Sequence, residues 1–520
     1  MLNPSRWLAV LMIAALALAA PVASRAASVP EPVSRQLSLA AQSGPVALLD
    51  SLAQALAAHP ELAATPDAAA ALARVASAPV PDFVGANLPV YREIAARIIA
   101  AAPAAQRDAV RLAVGRELAS YVANDIRIMP ALPPAPAAPP QSQPPEVGGR
   151  GFDVGSFTIY PEVHAGGFYD SNIYATNTAA KSDWVGTLSP SVAVQSNWDR
   201  NSLYAEAGTD LTGYVHHGSE NTADWHTQLE GQIDLSKNTH ILLGGILLQE
   251  HEDRASPDTV EGTTPTLYHE MNAYGGVVHR IGDFDVRLAG AVQRLTFGNV
   301  MGTNGLIFNH DRNRNRYTFG VTVRDVAYDN FRPFVEGLGD IRVYDQSTDE
   351  FGYQRDSNGY RAGVGAQFRL APSLTGEAFL GAMGRDYKDP TFKPVTTVAA
   401  DGYLRWQAAQ STAFVLFMDR SIEETTLSGS PAYVYTVAGA RIEHAFLDDL
   451  TGFVRFAYAN AAFAQSSRQD NEFDTSVGLR YYVTKRVYLG ADYRFTSRRS
   501  SEATQDFARN QVFFTVGSSF

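Results

Sequence analysis

The sequence predicts an all-β transmembrane barrel of about 18 antiparallel strands, preceded by a small α-helical module and a proline-rich linker. Three observations carry that expectation. Beyond residue 152 the apolar residues recur with a period of two, which gives each segment one apolar and one polar face. Tight turns and long polar loops join the segments alternately, as in a barrel with one rim in each aqueous compartment. After the first 26 residues no run of about 18 apolar residues occurs, so passage through a membrane must use strands.

The composition fits that class and excludes others. The 520 residues are 45% hydrophobic and 10% aromatic, too apolar for a disordered polymer. With zero cysteines there is no disulfide framework, cysteine zinc site or catalytic thiol. A formal net charge of −12 argues against a nucleic-acid partner, which would require a clustered basic face.

Residues 1–26 read as a secretory signal peptide. Arg6 precedes an apolar run from Trp7 to Ala20, and Ser24-Arg25-Ala26 supplies a small-x-small cleavage pattern. Residues 27–128 are alanine-rich with helical spacing: Leu48, Leu49, Leu52 and Leu56 form one stripe, Ile94 and Ile98 a second, and Val110, Val114 and Leu118 a third. Pro60, Pro66, Pro79, Pro81 and Pro103 separate them, so the expectation is short amphipathic helices joined by proline turns, a periplasmic module without chemistry of its own. Residues 129–151 are dominated by proline, which favours extended polyproline II over a packed core. At about 3 Å per residue such a spacer reaches roughly 60 Å.

Residues 152–520 carry the barrel. Along Trp225–Leu235, Trp225, Leu229, Ile233 and Leu235 oppose His226, Gln228, Glu230, Gln232 and Asp234. The segments Arg316–Arg324 and Arg486–Thr496 alternate in the same way. Tight connectors are expected at Trp198–Asn201, Ser236–Asn238, Ile281–Asp283, Tyr328–Asn330, Ala371–Ser373, Gln407–Gln410, Leu447–Leu450 and Thr484–Lys485. Longer polar loops, such as Glu252–Thr266, Asn299–Asn315 and Asp345–Asn358, fall between them. Two strands per turn, with one more at either end, give roughly 18.

Alternation also assigns the inner face. The candidate pore-lining acids are Glu206, Asp210, Glu230 and Asp234 on the early strands. On the later strands the candidates are Arg324, Arg342, Arg361, Arg369, Arg405, Arg455, Arg480 and Arg494, with Asp340 and Asp474 among them. One acidic wall facing a basic or mixed wall would set up a transverse field across a water-filled bore. Tyr204, Tyr214, Tyr403 and Tyr488 also point inward, where they either fill space or stack on sugar rings. Trp184, Trp225, Tyr317, Trp406, Tyr433, Tyr481 and Phe520, near strand ends, suit interfacial girdles.

Motifs for chemistry are absent or misplaced. His251-Glu252 and His269-Glu270 lack the HExxH spacing, Gly363-Val364-Gly365 sits on a strand without its third glycine, and no nucleophile elbow accompanies the loop histidines. No catalytic residue, metal site or cofactor is therefore expected.

In the last ten residues Val512, Phe514, Val516 and Phe520 share one face. This resembles the terminal aromatic strand read by the barrel assembly machinery, which makes Phe514, Val516 and Phe520 the candidate assembly signal. At Phe168–Tyr174, at Leu188–Pro190 leading to Ser196–Trp198, and at Glu250–Asp258 the chain resembles a proteobacterial family of outer-membrane β-barrel porins, from about Phe157 to Phe520. The resemblance implies a home in the cell outer membrane, among its lipids and lipopolysaccharide, and passage of polar solutes. Some relatives are associated with exopolysaccharide or capsule export, which implies a periplasmic polysaccharide-export complex as a partner. The alternative is an outer-membrane anchor or receptor whose helical module docks a periplasmic partner; a third reading is a receptor for small ligands whose lumen is plugged by a long loop folded inward.

Overall fold

The computed structural model describes residues 29–41, 45–64, 66–77, 94, 97–98, 101–102 and 151–519, apart from 199–200, 304, 329, 372 and 485. The expected signal peptide, the third helical stripe, the linker up to residue 150 and Phe520 lie outside the described residues.

The N-terminal segment forms α1 (Glu31–Ala41), α2 (Pro45–Ala58) and α3 (Pro66–Ser77), with a 3-10 turn at Pro60–Ala63. Prolines open α2, α3 and the turn, where a missing N–H costs nothing. Leu37, Leu48, Leu52, Leu72, Ile94 and Ile98 are buried together, so the first two apolar stripes meet in one core. Arg97 Nη1 donates to the Leu49 carbonyl at 2.8 Å across that core's edge.

The barrel has 18 long strands. They are β1 (Phe157–Asp170), β2 (Asp183–Ser196), β3 (Ser202–Tyr214), β4 (Thr222–Ser236), β5 (Thr239–His251) and β6 (Leu267–Ile281). Then follow β7 (Phe284–Phe297), β8 (Arg314–Asp325), β9 (Phe331–Tyr344), β10 (Ser357–Ala371), β11 (Leu374–Tyr387) and β12 (Val395–Ala409). The last six are β13 (Thr412–Glu423), β14 (Tyr433–Leu447), β15 (Leu450–Phe463), β16 (Gln469–Tyr482), β17 (Val487–Ser500) and β18 (Phe507–Ser519). Each pairs antiparallel with its sequence neighbours, and β18 closes the ring on β1 from Asp170↔Gln511 to Glu162↔Ser519. Closure joins the two ends of the sheet, the condition for crossing a bilayer with strands.

The eight expected tight connectors all fall between strands and lie on one rim, and the longer loops occupy the other. A three-residue strand, Phe152–Val154, turns back through Gly155 at φ +62° and pairs with Phe157–Ile159 of β1, which β18 does not reach. The outer face is apolar: Leu188, Leu243, Val292, Phe319, Leu380 and Val454 are among its exposed side chains. Trp184, Tyr317, Trp406 and Tyr481 are exposed there too, as a girdle requires, and Trp225 is half-buried. Tyr433 is a correction to that set. It is odd-numbered on a strand whose lipid face carries Ile442, so it points inward, buried against Phe463 at 5.0 Å between ring centres.

One seam departs from the ladder. β12 and β13 pair only from Ala409↔Thr412 to Gly402↔Met418, and their ladder does not continue into Val395–Asp401 and Asp419–Glu423. β13 stays paired to β14 up to Glu423↔Tyr433. Ile422 and Val434 pack against Phe334, Phe379 and Met383, which stand on the inner side of β9 and β11. The upper β13–β14 hairpin is therefore tucked inside the wall rather than continuing it.

Candidate functional site

The inner face divides by charge. On β3 to β6 it carries Glu206, Asp210, Glu230 and Asp234 and also Glu250 and Glu270, with Arg280 at the short-turn rim as the sole Lys or Arg among the inward positions of these strands. Phenols alternate with the carboxylates: Tyr204 donates to Glu206, Tyr274 to Glu230 and Tyr268 to Glu250. Imidazoles lie beside two of the carboxylates, His240 Nδ1 2.6 Å from Asp234 and His226 Nε2 3.7 Å from Glu206.

From β8 onward arginines dominate, and most of them are held by nearby acids. Asp340 on β9 gathers Arg316 Nε at 2.8 Å, Arg342 Nε at 3.3 Å and Arg385. Arg361 reaches Asp401, lies 3.5 Å from Glu336 and stacks 4.1 Å above the Phe379 ring. Asp474 brings Arg455 and Arg494 together and accepts the Thr496 hydroxyl at 3.1 Å. Glu443 accepts from Arg405 at 3.1 Å and pairs with Arg441 at 2.9 Å. Arg480 pairs with Asp492 at 3.5 Å, and Arg324 covers the Phe334 ring at 5.3 Å. Arg369 stands near the short-turn rim, opposite Thr375. All twelve residues singled out by alternation thus sit on the face opposite the exposed apolar side chains, on two walls rather than in one cluster. Arg342 is only 5% exposed, so its charge serves its acid partners more than open water.

The bore is crossed by the loop between β5 and β6, residues 252–266. In a ring of 18 strands that junction lies eight strands from the β13–β14 junction by the shorter way, yet the two loops touch. Asp258 Oδ1 accepts the Thr426 backbone N–H at 2.5 Å, the Thr425 hydroxyl at 2.9 Å and the Thr426 hydroxyl at 3.0 Å. The far wall holds the rest of the loop: Arg468 Nη2 donates to the Pro257 carbonyl at 2.9 Å, Arg498 to that of Ala255, and Arg509 lies 3.7 Å from Asp253. At its root Arg254 grips the buried Glu220 with two hydrogen bonds, at 2.7 and 2.8 Å, and Arg312 pairs with Glu252.

The second loop, residues 424–432, is held by Glu424, which accepts from Arg342 and from the Tyr344 hydroxyl at 2.5 Å. Burial pushes the Glu424 carboxyl up, but the Arg342, Arg385 and Arg314 guanidiniums outweigh it and hold it at about 2. At Asp258 burial wins over Arg312 and raises the carboxyl above the usual aspartate range. Ion pairs of this kind fix loop positions more than they add stability.

Alternation did not single out Arg385, Arg498 or Arg509, although Arg498 continues the series of Arg494 and Thr496. Arg468 lies in a loop, where no period applies. Among the described residues no three His, Asp or Glu side chains gather into a metal-binding group. Of the expected assembly signal, Phe514 and Val516 are exposed on the lipid face, and Phe520 lies outside the described residues.

A family described as "Putative beta-barrel porin 2" matches residues 144–520. No curated protein matches the chain. Among solved structures, the outer membrane protein OpdK from Pseudomonas aeruginosa is 12% identical, covers 70% of this chain and 98% of its own, and has a TM-score of 0.41. OccAB3 from Acinetobacter baumannii is 13% identical, covers 71% of this chain and 100% of its own, and has a TM-score of 0.41. OccK2 (OpdF) from Pseudomonas aeruginosa, in complex with glucuronate, is 10% identical over 70% of this chain and 98% of its own, with a TM-score of 0.38.

Proposed function

Since the chain belongs to the beta-barrel porin 2 family and is a porin-like barrel of the outer membrane, we propose that it is a passive channel for small polar solutes. The observation that carries this reading is the charge-divided bore, acidic on β3 to β6 and arginine-rich from β8 onward, narrowed by a loop tied to the opposite wall. A solute passing between such walls gains by presenting hydroxyls and charges to both sides, and an apolar one loses its interactions with water without replacement. Exopolysaccharide export gains no support from the comparisons, and two loops meeting across the bore favour small solutes over a polymer chain. The docking alternative likewise gains none; removing residues 28–149 is expected to leave conductance intact if the barrel is the channel.

The test is single-channel recording of the purified full chain in planar bilayers, with liposome swelling in small sugars and charged solutes. Stable ion conductance with uptake of small polar solutes supports the proposal. A barrel that passes no ions overturns it.

A further inference from the structure

We propose that the split seam between β12 and β13 is an anion-binding site, built on Arg420 and taking a phosphate or carboxylate group. The ladder between β12 and β13 stops at Gly402↔Met418, in the half of the wall nearer the long loops. Where a ladder stops within the wall, the backbone groups facing the gap turn to water, side chains or a ligand, so the seam is a polar crevice in an otherwise apolar wall.

Arg420 occupies that crevice. Its Nη1 donates to the Thr436 hydroxyl at 2.6 Å on β14, and its Nη2 to the Thr397 hydroxyl at 3.0 Å on β12, so one side chain spans the split. Its Nε is buried with no hydrogen-bond partner. Arg420 makes no ion pair among the described residues, in contrast to Arg342, Arg361, Arg455 and Arg494, each of which has an acid. The apolar cluster of Phe334, Phe379, Met383 and Ile422 lies on the tucked side of the seam, with Ile422 two residues along β13 from the half-buried Arg420. Three of its five donors remain unspent, in a fork that matches a planar or tetrahedral oxyanion. Neutral threonine hydroxyls fix the fork without cancelling its charge. The occupant is therefore an anion, brought by a solute in the bore or by the phosphate of an outer-leaflet lipid headgroup.

The experiment uses the full chain with Arg420→Gln, Arg420→Lys and Thr397→Val. Inorganic phosphate, added at constant ionic strength during single-channel recording, reads the bore; phosphate-bearing lipid A retained in native mass spectra reads the leaflet. One of the two signals is expected in the parent chain, weakened at least tenfold by Arg420→Gln, several-fold by Thr397→Val and least by Arg420→Lys. Current interruption by phosphate identifies a solute anion, and loss of retained lipid A identifies a headgroup. If neither signal changes in Arg420→Gln or in Thr397→Val, with both variants still heat-modifiable on gels, the site does not exist.

Discussion

Asp258 and Thr426 meet across the bore: the carboxylate of one inward loop accepts the backbone N–H of the other at 2.5 Å. The loops root at nearly opposite points of the ring, so this contact and its two hydroxyl companions tie the constriction shut on itself. Asp258→Ala removes all three bonds. The tie should lose on the order of 2 kcal/mol, raising the untied population roughly 30-fold. Single-channel traces are expected to show a larger, noisier open level; traces indistinguishable from the parent would mean that the two loops do not set the conductance.

The root of the crossing loop depends on Arg254 and Glu220. Glu220 is 1% exposed, and both its oxygens are taken by Arg254. Arg254→Met leaves a buried carboxylate without its partner, a defect of about 3 to 5 kcal/mol when it cannot relax. Relaxation is expected to occur by the loop leaving the bore. Faster proteolytic cutting within 252–266 at unchanged heat-modifiability checks this, and equal cutting rates would count against it.

The second loop should respond to acid. The Glu424 carboxyl is lowered from 4.5 to about 2, so its pairing with Arg342 contributes fully above the ordinary glutamate value and is lost as pH falls through about 2. The contribution is on the order of 3 kcal/mol. In an Asp258→Asn background, which removes the upward-shifted aspartate from the titration, conductance is expected to rise as pH falls below about 4. Adding Glu424→Gln should abolish the rise, with conductance already high at neutral pH. A rise that persists in the double variant would assign it to another group.

Turns and parity made the barrel legible in the sequence, because both are local. Each tight connector, from Trp198–Asn201 to Thr484–Lys485, carries its own signal, and a period of two assigns every residue of a strand once one is assigned. Tyr433 departs from the expected girdle because β-forming aromatics suit either face, and only the parity of its own strand, fixed by Ile442, decides. The constriction was not legible. Asp258 meets Thr426 at a separation of 168 residues, and Arg468 meets Pro257 at 211, contacts that no period encodes. The seam at β12 was hidden for the opposite reason: Val395–Asp401, with its Val and Thr residues, reads as a strand like any other, and what fails is the partner's position.

Charge division should set ion preference. Glu206 and Glu230 stand on the acidic wall, where each accepts from a tyrosine hydroxyl and His226 lies 3.7 Å from Glu206, so both contribute negative charge to the face that lines the bore. Glu206→Gln with Glu230→Gln removes two of these negative charges without altering size. Reversal potentials in a salt gradient are expected to shift toward anion preference, more at low ionic strength than at 1 M, where screening acts within about 3 Å. An unchanged reversal potential would place the selectivity-setting charges elsewhere.

The last strand offers a separable test of insertion. Phe514 and Val516 are exposed on the lipid face of β18, and Phe514 pairs across to Gly167 of β1 at the closure of the ring. Phe514→Arg puts a cation on that face, with a cost of up to about 4 kcal/mol at the bilayer midplane. Truncation after Ser518 leaves both residues and removes only Ser519 and the terminal aromatic. If the terminal residue is read during assembly, truncation should reduce the heat-modifiable barrel in outer-membrane fractions while the Phe514→Arg chain, refolded in detergent, shows the larger stability loss. Normal barrel levels after truncation would remove Phe520 from the assembly signal and leave Phe514 and Val516 as lipid-facing packing alone.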